Sequence, residues 1–272
     1  MMRCVEPELL DELPPNDAGA IRARRDLRRL NALMRHAAIV GAAMAEVCSG
    51  RAPRRLVELG AGDGGFALGL ARKLAPLWPA LQVVLVDRQN IVSDRTRRQF
   101  HQWGWNCEPV QADVFDWFTR SGPCEADCLV ANLFLHHFTA TRLRNLLALA
   151  AGRAEIFIAC EPRRTRTVLR AGRWVGLVGC NRVTRHDAVV SVRAGFVNQE
   201  LSELWPQEKV WQVQEREAGL FSHLFVARRA AGHPSPCPLP STGGTRGERV
   251  RGGSRAGFDS NVIRRLGNGD EP

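Results

Sequence analysis

The chain has 272 residues, of which 44% are hydrophobic and 24% charged, so it can bury a core and wholesale disorder is excluded. The formal net charge is +10, and its arginine excess is concentrated in residues 18–55 and 163–193, which favours two local basic surfaces over general nucleic-acid binding. No apolar run reaches the ~18 residues of a membrane span, and the first residues lack the pattern of a signal peptide. We therefore expect a soluble, cytoplasmic protein.

The eight cysteines include no C-x-x-C pair. Cys124 and Cys128 have neither a second pair nor a nearby histidine, which argues against a zinc site. We therefore expect reduced thiols and no bound metal.

The first 52 residues divide into two predicted segments. Residues 1–17 are acidic and contain proline, and we expect them to form a flexible arm. From Asp17, a helix N-cap candidate, apolar residues recur at helical spacing to about Val47. The pattern predicts one long or two short helices, and we interpret residues 18–52 as an N-terminal helical cap.

From residue 53 to residue 229 the pattern predicts one α/β domain. Short apolar runs at 55–59, 82–87, 107–112, 126–132 and 154–160 alternate with helical stretches. This alternation predicts a parallel sheet covered on both faces. Two further strands, at 209–215 and 220–228, are close enough to form a final hairpin.

The last 43 residues, 230–272, have a different composition. They contain nine glycines and five prolines but few large apolar residues. Such a segment cannot bury enough apolar surface to become ordered, so we predict a disordered tail.

A glycine-rich loop follows the first predicted strand and opens the first helix of the α/β domain. Its sequence, VELGAGDGGF at 57–66, places glycines at 60, 62 and 64. Glycines at such a turn allow the backbone to approach a ligand closely. The loop predicts a nucleotide-like cofactor, and the glycines alone do not identify it.

Three carboxylates at strand ends narrow the choice of cofactor. Glu58 lies two residues before the first glycine, where it would repel a pyrophosphate and attract an amino group. Asp87 ends the second strand and can accept hydrogen bonds from ribose hydroxyls. Asp113 follows the third strand and can accept from an adenine amine. This set suits S-adenosylmethionine, which has a sulfonium, an ammonium group and no phosphate, better than NAD.

These features resemble the class I S-adenosylmethionine-dependent methyltransferases over about residues 20–229. The E-x-G-x-G-x-G motif at 58–64, Asp87, Ala-Asp-Val at 112–114 and the final hairpin match that family in order. The resemblance implies a Rossmann-like seven-stranded, mostly parallel sheet with an antiparallel last strand and an N-terminal helical lid. A finer resemblance, strongest at 176–196, is to bacterial methyltransferases associated with type III polyketide synthases.

The resemblance also assigns cofactor contacts. It places the loop against the methionine moiety, Asp87 against the ribose, Asp113 and Val114 against the adenine, and Asn132 beneath the sulfonium. The full predicted set is Glu58, Gly60, Ala61, Gly62, Gly64, Asp87, Arg88, Asp113, Val114 and Asn132.

Four side chains are candidates for activating a methyl acceptor. His136 and His137 lie just beyond the fourth strand, near the expected methyl position. Glu161 follows the fifth strand at the same edge of the sheet, and His186 begins a later helix. Each could accept a proton or a hydrogen bond, although structural roles are also open to them.

The segment 163–182 mixes apolar residues with arginines and is our candidate for a substrate-pocket insertion. That composition also suits an acidic carrier protein or an anionic membrane surface.

We favour methyl transfer to a small hydrophobic or aromatic acceptor, with O-methylation of a phenolic or polyketide-type compound as the leading hypothesis. Asn132 is followed by Leu-Phe-Leu rather than Pro-Pro, which disfavours an adenine amino acceptor. An RNA methyltransferase using the basic surface remains an alternative, although no RNA-binding appendage is recognisable and a nucleic-acid partner is disfavoured. A second alternative is a non-catalytic cofactor-binding protein that docks on an acidic partner or membrane.

Overall fold

A computed structural model describes residues 1–48, 51–120, 126–175 and 179–230. Their core is a seven-stranded sheet with the order β3-β2-β1-β4-β5-β7-β6. The strands are β1 (Arg55–Leu59), β2 (Leu81–Asp87), β3 (Trp105–Gln111), β4 (Ala126–Asn132), β5 (Ala154–Pro162), β6 (Trp211–Ala218) and β7 (Ser222–Arg229).

The first five strands run parallel, and β7 pairs antiparallel with both β5 and β6. This confirms the predicted Rossmann-like sheet with its antiparallel end. The central strands read as continuous apolar runs because helices cover both of their faces. The edge strand β6 instead carries mostly exposed polar residues, as in WQVQEREA.

Ten helices surround the sheet in the described residues. They are α1 (Leu9–Glu12), α2 (Ala18–Leu33), α3 (His36–Val47), α4 (Gly65–Leu74), α5 (Asp94–Gln102), α6 (Val114–Arg120), α7 (Ala140–Ala151), α8 (Arg166–Trp174), α9 (Arg182–Ala194) and α10 (Glu200–Leu204). Helices α3, α4 and α5 supply the apolar core on one face of the sheet. Helices α6, α7 and α10 supply it on the other.

The predicted helical cap is two helices with different roles. Arg35 separates them with a left-handed backbone conformation, φ 58°. Asp17 caps α2 as expected, by accepting a hydrogen bond from Ala20 N–H. Helix α3 buries Val40 and Met44 in the main core, so it belongs to the body of the domain. Of these two helices, only α2 lines the cavity at the carboxyl ends of the parallel strands.

The N-terminal segment, defined here as residues 3–12, is packed against the domain, and the expectation of a flexible arm is wrong for it. The Arg3 guanidinium donates to the carbonyls of Ala194 and Phe138. The N–H groups of Leu9 and Leu10 donate to the Asp187 carboxylate. Polar contacts with distant residues therefore hold this segment in place. Such contacts leave no pattern of apolar residues in the sequence, so the sequence did not predict that the segment is ordered.

The predicted tail lies outside the described residues, apart from Ala230, as do residues 176–178 of the predicted insertion. Within the described part of the chain, no helix has the length and apolar character needed to cross a membrane.

Candidate active site

A cavity of about 830 Å³ opens at the carboxyl ends of β1, β2 and β4. The strand order reverses between β1 and β4, which is where open α/β sheets bind ligands. The N-terminal segment and α2 form the wall of the cavity opposite the strand ends. The fold therefore brings the predicted loop and carboxylates to one site.

The glycines of the loop have different roles. Gly60 has φ +69°, and a Cβ there would lie 2.1 Å from the ring of Phe134. At Gly62 a Cβ would meet no atom within 4 Å, so the backbone borders open space in the cavity. Gly64 does not line the cavity; it caps α4, and a Cβ there would lie 2.8 Å from Leu85. Its role within the described residues is structural, and its predicted cofactor contact stays a prediction.

Glu58 is a buried carboxylate at the cavity wall, with 2% of its surface exposed. Its Oε2 has no hydrogen-bond partner among the described residues. Burial raises the pKa of Glu58 well above its usual value, and the nearby Asp63 and Asp87 raise it further. A cationic ligand would offset this cost, since it would supply both a donor and a positive charge.

Asp87 joins the loop to the end of β2. Its Oδ2 accepts from Gly62 N–H at 2.8 Å, and its Oδ1 accepts from Gln89 N–H at 2.8 Å. Each carboxylate oxygen keeps a further lone pair that a ribose hydroxyl can use. Burial raises the pKa of Asp87, although these two backbone donors lower it in part. The neighbouring Arg88 also lines the cavity.

The remaining predicted cofactor residues also line this cavity. Asp113 accepts from Phe115 N–H at 2.9 Å and lies beside Val114. Asn132, buried at the end of β4, has an Oδ1 atom without a partner in the described residues. The unpartnered oxygens of Glu58 and Asn132, with the space at Gly62, fit a ligand that brings donor groups and no phosphate. Among the predicted cofactor contacts, the cavity lining lacks Gly64 alone.

A sharp turn after β4 positions the two histidines. Leu133 has φ +53°, a conformation that costs a non-glycine residue roughly 1–2 kcal/mol. The turn directs the N–H groups of Phe134 and Leu135 to Glu161 Oε1, at 3.0 and 2.9 Å. It is followed by a single 3₁₀ turn that contains His136 and His137.

His136 lies between two carboxylates. Its Nδ1 is 2.7 Å from Glu161 Oε2, and its Nε2 is 3.1 Å from Glu8 Oε1. Burial alone would lower the pKa of His136, but hydrogen bonds to Glu161 and Glu8 and their charges raise it to about 9. Glu161 is fully buried and does not line the cavity. Its position is that of a residue that orients His136, rather than one that contacts an acceptor.

His137 has 22% of its side chain exposed and lines the cavity. Its Nδ1 lies 3.2 Å from Asp11 Oδ2, which the N-terminal segment supplies. The other predicted histidine, His186, lies outside the cavity on α9. Its Nδ1 is 3.0 Å from Asp187 Oδ1.

The predicted pocket insertion does not line this cavity in its described residues. The Arg163 guanidinium pairs with Glu217, and that of Arg164 pairs with Glu200. From α9, Ser191 reaches the cavity instead.

Sequence reasoning predicted an N-terminal helical lid, but it missed the contribution of residues 3–12 to the cavity. The N-terminal segment supplies Glu8 and Asp11, and α2 supplies Arg24, Arg28 and Asn31. The only sequence signal was charge, because an acidic segment precedes a basic helix. Neither pattern indicates which distant residues these side chains contact.

Comparison with known proteins identifies the domain. Residues 56–153 match a family model described as a methyltransferase domain. No curated protein matches the chain.

Solved structures resemble the fold. One is an O-methyltransferase family protein from Burkholderia thailandensis, with 20% identity and a TM-score of 0.54, covering 80% of this chain and 62% of that one. The plantazolicin methyltransferase BpumL, solved with a monoazolic desmethylPZN analog and SAH, has 10% identity and a TM-score of 0.55, covering 79% and 91%. The mitomycin 7-O-methyltransferase MmcR has 17% identity and a TM-score of 0.53, covering 81% and 60%.

The chain thus spans less than two thirds of the first and third of these proteins. At these identities, the likeness establishes the shared fold. The family match covers β1 to α7, the part of the sheet that carries the glycine loop and the three strand-end carboxylates. Residues 56–153 are therefore a methyltransferase domain, set in the fold of class I S-adenosylmethionine-dependent methyltransferases, and the cavity residues fit S-adenosylmethionine as the cofactor.

Proposed function

We propose that this protein transfers a methyl group from S-adenosylmethionine to a hydroxyl group of a small hydrophobic or aromatic acceptor, such as a phenolic or polyketide-type compound. The observation that carries the proposal is the size and lining of the cavity. Its volume of about 830 Å³ lies towards the upper end of the range for small-molecule sites, about 300–1,000 Å³. Such a volume has room for a cofactor and a small acceptor together.

The lining changes character along the cavity. Around the glycine loop it is rich in carboxylates, whereas beyond Asn132 it contains apolar side chains. This apolar wall consists of Val5, Pro7, Leu10, Leu133, Phe134 and Phe138. An apolar wall suits an aromatic acceptor better than a polynucleotide, which brings a chain of phosphates.

In the proposed reaction, Glu58 receives the ammonium group of the cofactor, Asp87 the ribose hydroxyls and Asp113 the adenine amine. The cofactor supplies a methyl carbon made electrophilic by its sulfonium. The chain contributes chiefly proximity and alignment, which account for a large part of the barrier reduction in such displacements. The N-terminal segment excludes water by forming one wall of the cavity.

His136 and His137 are the residues that we assign to activation of the acceptor oxygen. Both line the cavity immediately after β4, beside Asn132. An acceptor hydroxyl loses a proton when its oxygen takes the methyl group, so a polar group is needed at this wall. Among the residues predicted for activation, only these two line the cavity.

The basic surfaces support a second proposal, that the partner is an acidic carrier protein or an anionic membrane. Arg22 and Arg25 on α2 are exposed, as are Arg166 and Arg170 on α8. Arg164, in contrast, pairs within the chain, with Glu200. The cytoplasmic location remains a prediction.

The first experiment is calorimetric titration of the full chain with S-adenosylhomocysteine, with NADH and NADPH in parallel. We expect micromolar binding of S-adenosylhomocysteine alone. An acceptor screen starting with alkylphenols and pyrones, read by mass spectrometry, then tests the transfer. Binding of S-adenosylhomocysteine with no methylated product from phenols, pyrones or other hydroxyl compounds would contradict the proposed O-methylation.

A further inference from the structure

We propose that Glu8, His136 and His137 bind one divalent transition-metal ion at the acceptor side of the cavity. The binding site itself is inferred from these residues alone. Its role in activating the acceptor oxygen rests on the proposed function. The spacing of the cysteines had argued against a metal site. The ligands proposed here are not cysteines, and Glu8 lies 128 residues before His136 in the chain.

The ligand geometry is the first argument. Each residue offers one ligand atom, and these atoms all lie within 4.8 Å of one another. Nitrogen and oxygen ligands about 2.0–2.2 Å from a zinc ion lie roughly 3.4 Å apart in a tetrahedron. The atoms therefore need to approach by roughly 1.4 Å at most. All three side chains line the cavity, so an ion could enter from it.

The second argument is the fixed orientation of His136. Its Nδ1 is held by Glu161 at 2.7 Å, and Glu161 is itself held by the N–H groups of Phe134 and Leu135. This leaves Nε2 pointing towards Glu8. A carboxylate on the far nitrogen of a ligating imidazole is the usual outer-shell arrangement of metal sites, where it fixes the tautomer and increases ligand basicity.

The third argument is charge. Glu8 and Glu161 are both buried, and the imidazole of His136 lies between them. The imidazole of His136 can carry one positive charge between these two carboxylates, and a second positive charge would offset more of the cost of burying them. A metal ion would replace the proton shared by His136 Nε2 and Glu8 Oε1, which are 3.1 Å apart, and would add positive charge there.

Two neighbouring side chains support the same site. Ser191 Oγ donates to Glu8 Oε1 and so restrains that carboxylate. Asp11 Oδ2 lies 3.2 Å from His137 Nδ1, where it can orient the second imidazole or provide a further oxygen ligand.

The ligand types indicate which ion to expect. Imidazole suits zinc and iron, whereas magnesium and calcium prefer sites made only of oxygen. Two imidazoles and one carboxylate leave at least one coordination position open, as catalytic sites do. That position would face the cavity, because all three side chains line it.

The open position defines the role of the ion in the reaction. An acceptor hydroxyl that binds there releases its proton to solvent, since the cation lowers the pKa of the bound oxygen. The oxygen then forms a bond to the methyl carbon as the sulfur–carbon bond breaks, and S-adenosylhomocysteine leaves.

The test is calorimetric titration of the metal-stripped full chain with Zn²⁺, without cofactor or acceptor. We expect one equivalent to bind. His136→Gln and Glu8→Gln should each weaken binding at least tenfold, and Glu161→Gln should weaken it about 10–100-fold. The matched control is His101→Gln on α5, an exposed histidine outside the cavity, which should leave the affinity unchanged.

His137→Gln provides a second variant if the buried His136 cannot be replaced without unfolding, because its side chain is partly exposed. Equal Zn²⁺ affinity in the wild type and in the Glu8 and His137 variants would overturn the proposal. So would a thiolate-to-metal absorption band with Co²⁺, which would show that cysteines hold the ion.

Methyl transfer by the metal-stripped protein in the presence of chelator separates the two proposals. Full activity without metal would overturn the catalytic role of the ion and leave the proposed function standing. One bound ion at this cluster, with no methylation of any hydroxyl acceptor, would support the metal site and contradict the proposed function.

Discussion

The backbone N–H of Gly62 donates a 2.8 Å hydrogen bond to Oδ2 of Asp87, and so joins the glycine loop after β1 to the end of β2. The carboxylate that is proposed to hold the ribose therefore also fixes the loop proposed to hold the methionine moiety. The two halves of the cofactor site depend on one side chain.

Asp87→Ala should weaken S-adenosylhomocysteine binding by about ten- to a hundredfold, because it removes charge-assisted hydrogen bonds to both ligand and loop. Calorimetry measures the affinity, and circular dichroism checks that the fold is retained. Asp94→Ala, an exposed aspartate on α5, is the control. An unchanged affinity in Asp87→Ala would remove this carboxylate from the site.

Glu58→Gln should make the protein more stable and bind the cofactor more weakly. Because burial raises the pKa of Glu58, its ionisation costs folding free energy, and this cost grows as pH rises above the usual value of 4.5 towards the raised pKa. The amide removes that cost, so we expect Tm at neutral pH to rise by about 2–4 °C. S-adenosylhomocysteine affinity should fall at least tenfold, because the ammonium group loses its counter-charge.

Thermal scans across pH provide the internal control for this variant. The Tm gain should be absent below pH 4.5, where Glu58 is protonated in both the folded and the unfolded chain. If the Tm gain persists below pH 4.5, the stabilisation comes from packing rather than from the loss of a charge.

Alanine at two positions of the glycine loop should have different effects. Gly60→Ala places a Cβ against the Phe134 ring at positive φ, and should lower the free energy of unfolding by about 2 kcal/mol or more. Gly62→Ala, with open space around it, should cost about 1 kcal/mol of backbone strain and chiefly weaken cofactor binding. Chemical denaturation and calorimetry compare the two. Equal destabilisation would show that the Phe134 contact is unimportant.

Asp187→Asn should loosen the N-terminal segment without unfolding the domain. The carboxylate of Asp187 accepts from both Leu9 N–H and Leu10 N–H, whereas an amide offers one oxygen. Hydrogen exchange of residues 3–12 should accelerate while exchange in β4 and β5 stays slow. The control is His186→Gln, which removes the histidine beside Asp187 but no contact with the segment. Unchanged exchange in Asp187→Asn would show that other contacts hold the segment.

His137→Ala should reduce kcat much more than it changes S-adenosylhomocysteine affinity. The side chain lies at the acceptor wall, and the predicted cofactor residues lie on the loop and strand ends. Steady-state kinetics with the best phenolic acceptor, together with calorimetry, measure both quantities. A loss of cofactor affinity equal to the loss in kcat would instead assign His137 to the cofactor part of the cavity.

The sheet and the cofactor half of the cavity could be predicted because their signals are local. An apolar strand, a glycine turn and a carboxylate occur within a few residues of one another, as at 57–64 and 84–87. Spacing alone did not indicate that Gly64 caps α4, because it does not distinguish a glycine facing a ligand from one at a helix start.

The acceptor half depends on long-range contacts that carry no periodic signal. Glu161 was predicted to act at the cavity, but the turn at Leu133 places backbone donors around it and leaves it behind His136. Glu8 lies 128 residues from His136, and no spacing rule links them. For the same reason the N-terminal segment was predicted to be a free arm.

The contact between Leu9 and Asp187 spans 178 positions, which has a consequence for synthesis on the ribosome. Chains emerge from the N-terminus, and early parts fold as they appear. The N-terminal segment leaves the exit tunnel long before α9 does, so it must wait undocked while the central strands assemble. This wall of the cavity is therefore made well before α9, and it reaches its place only after α9 has been made.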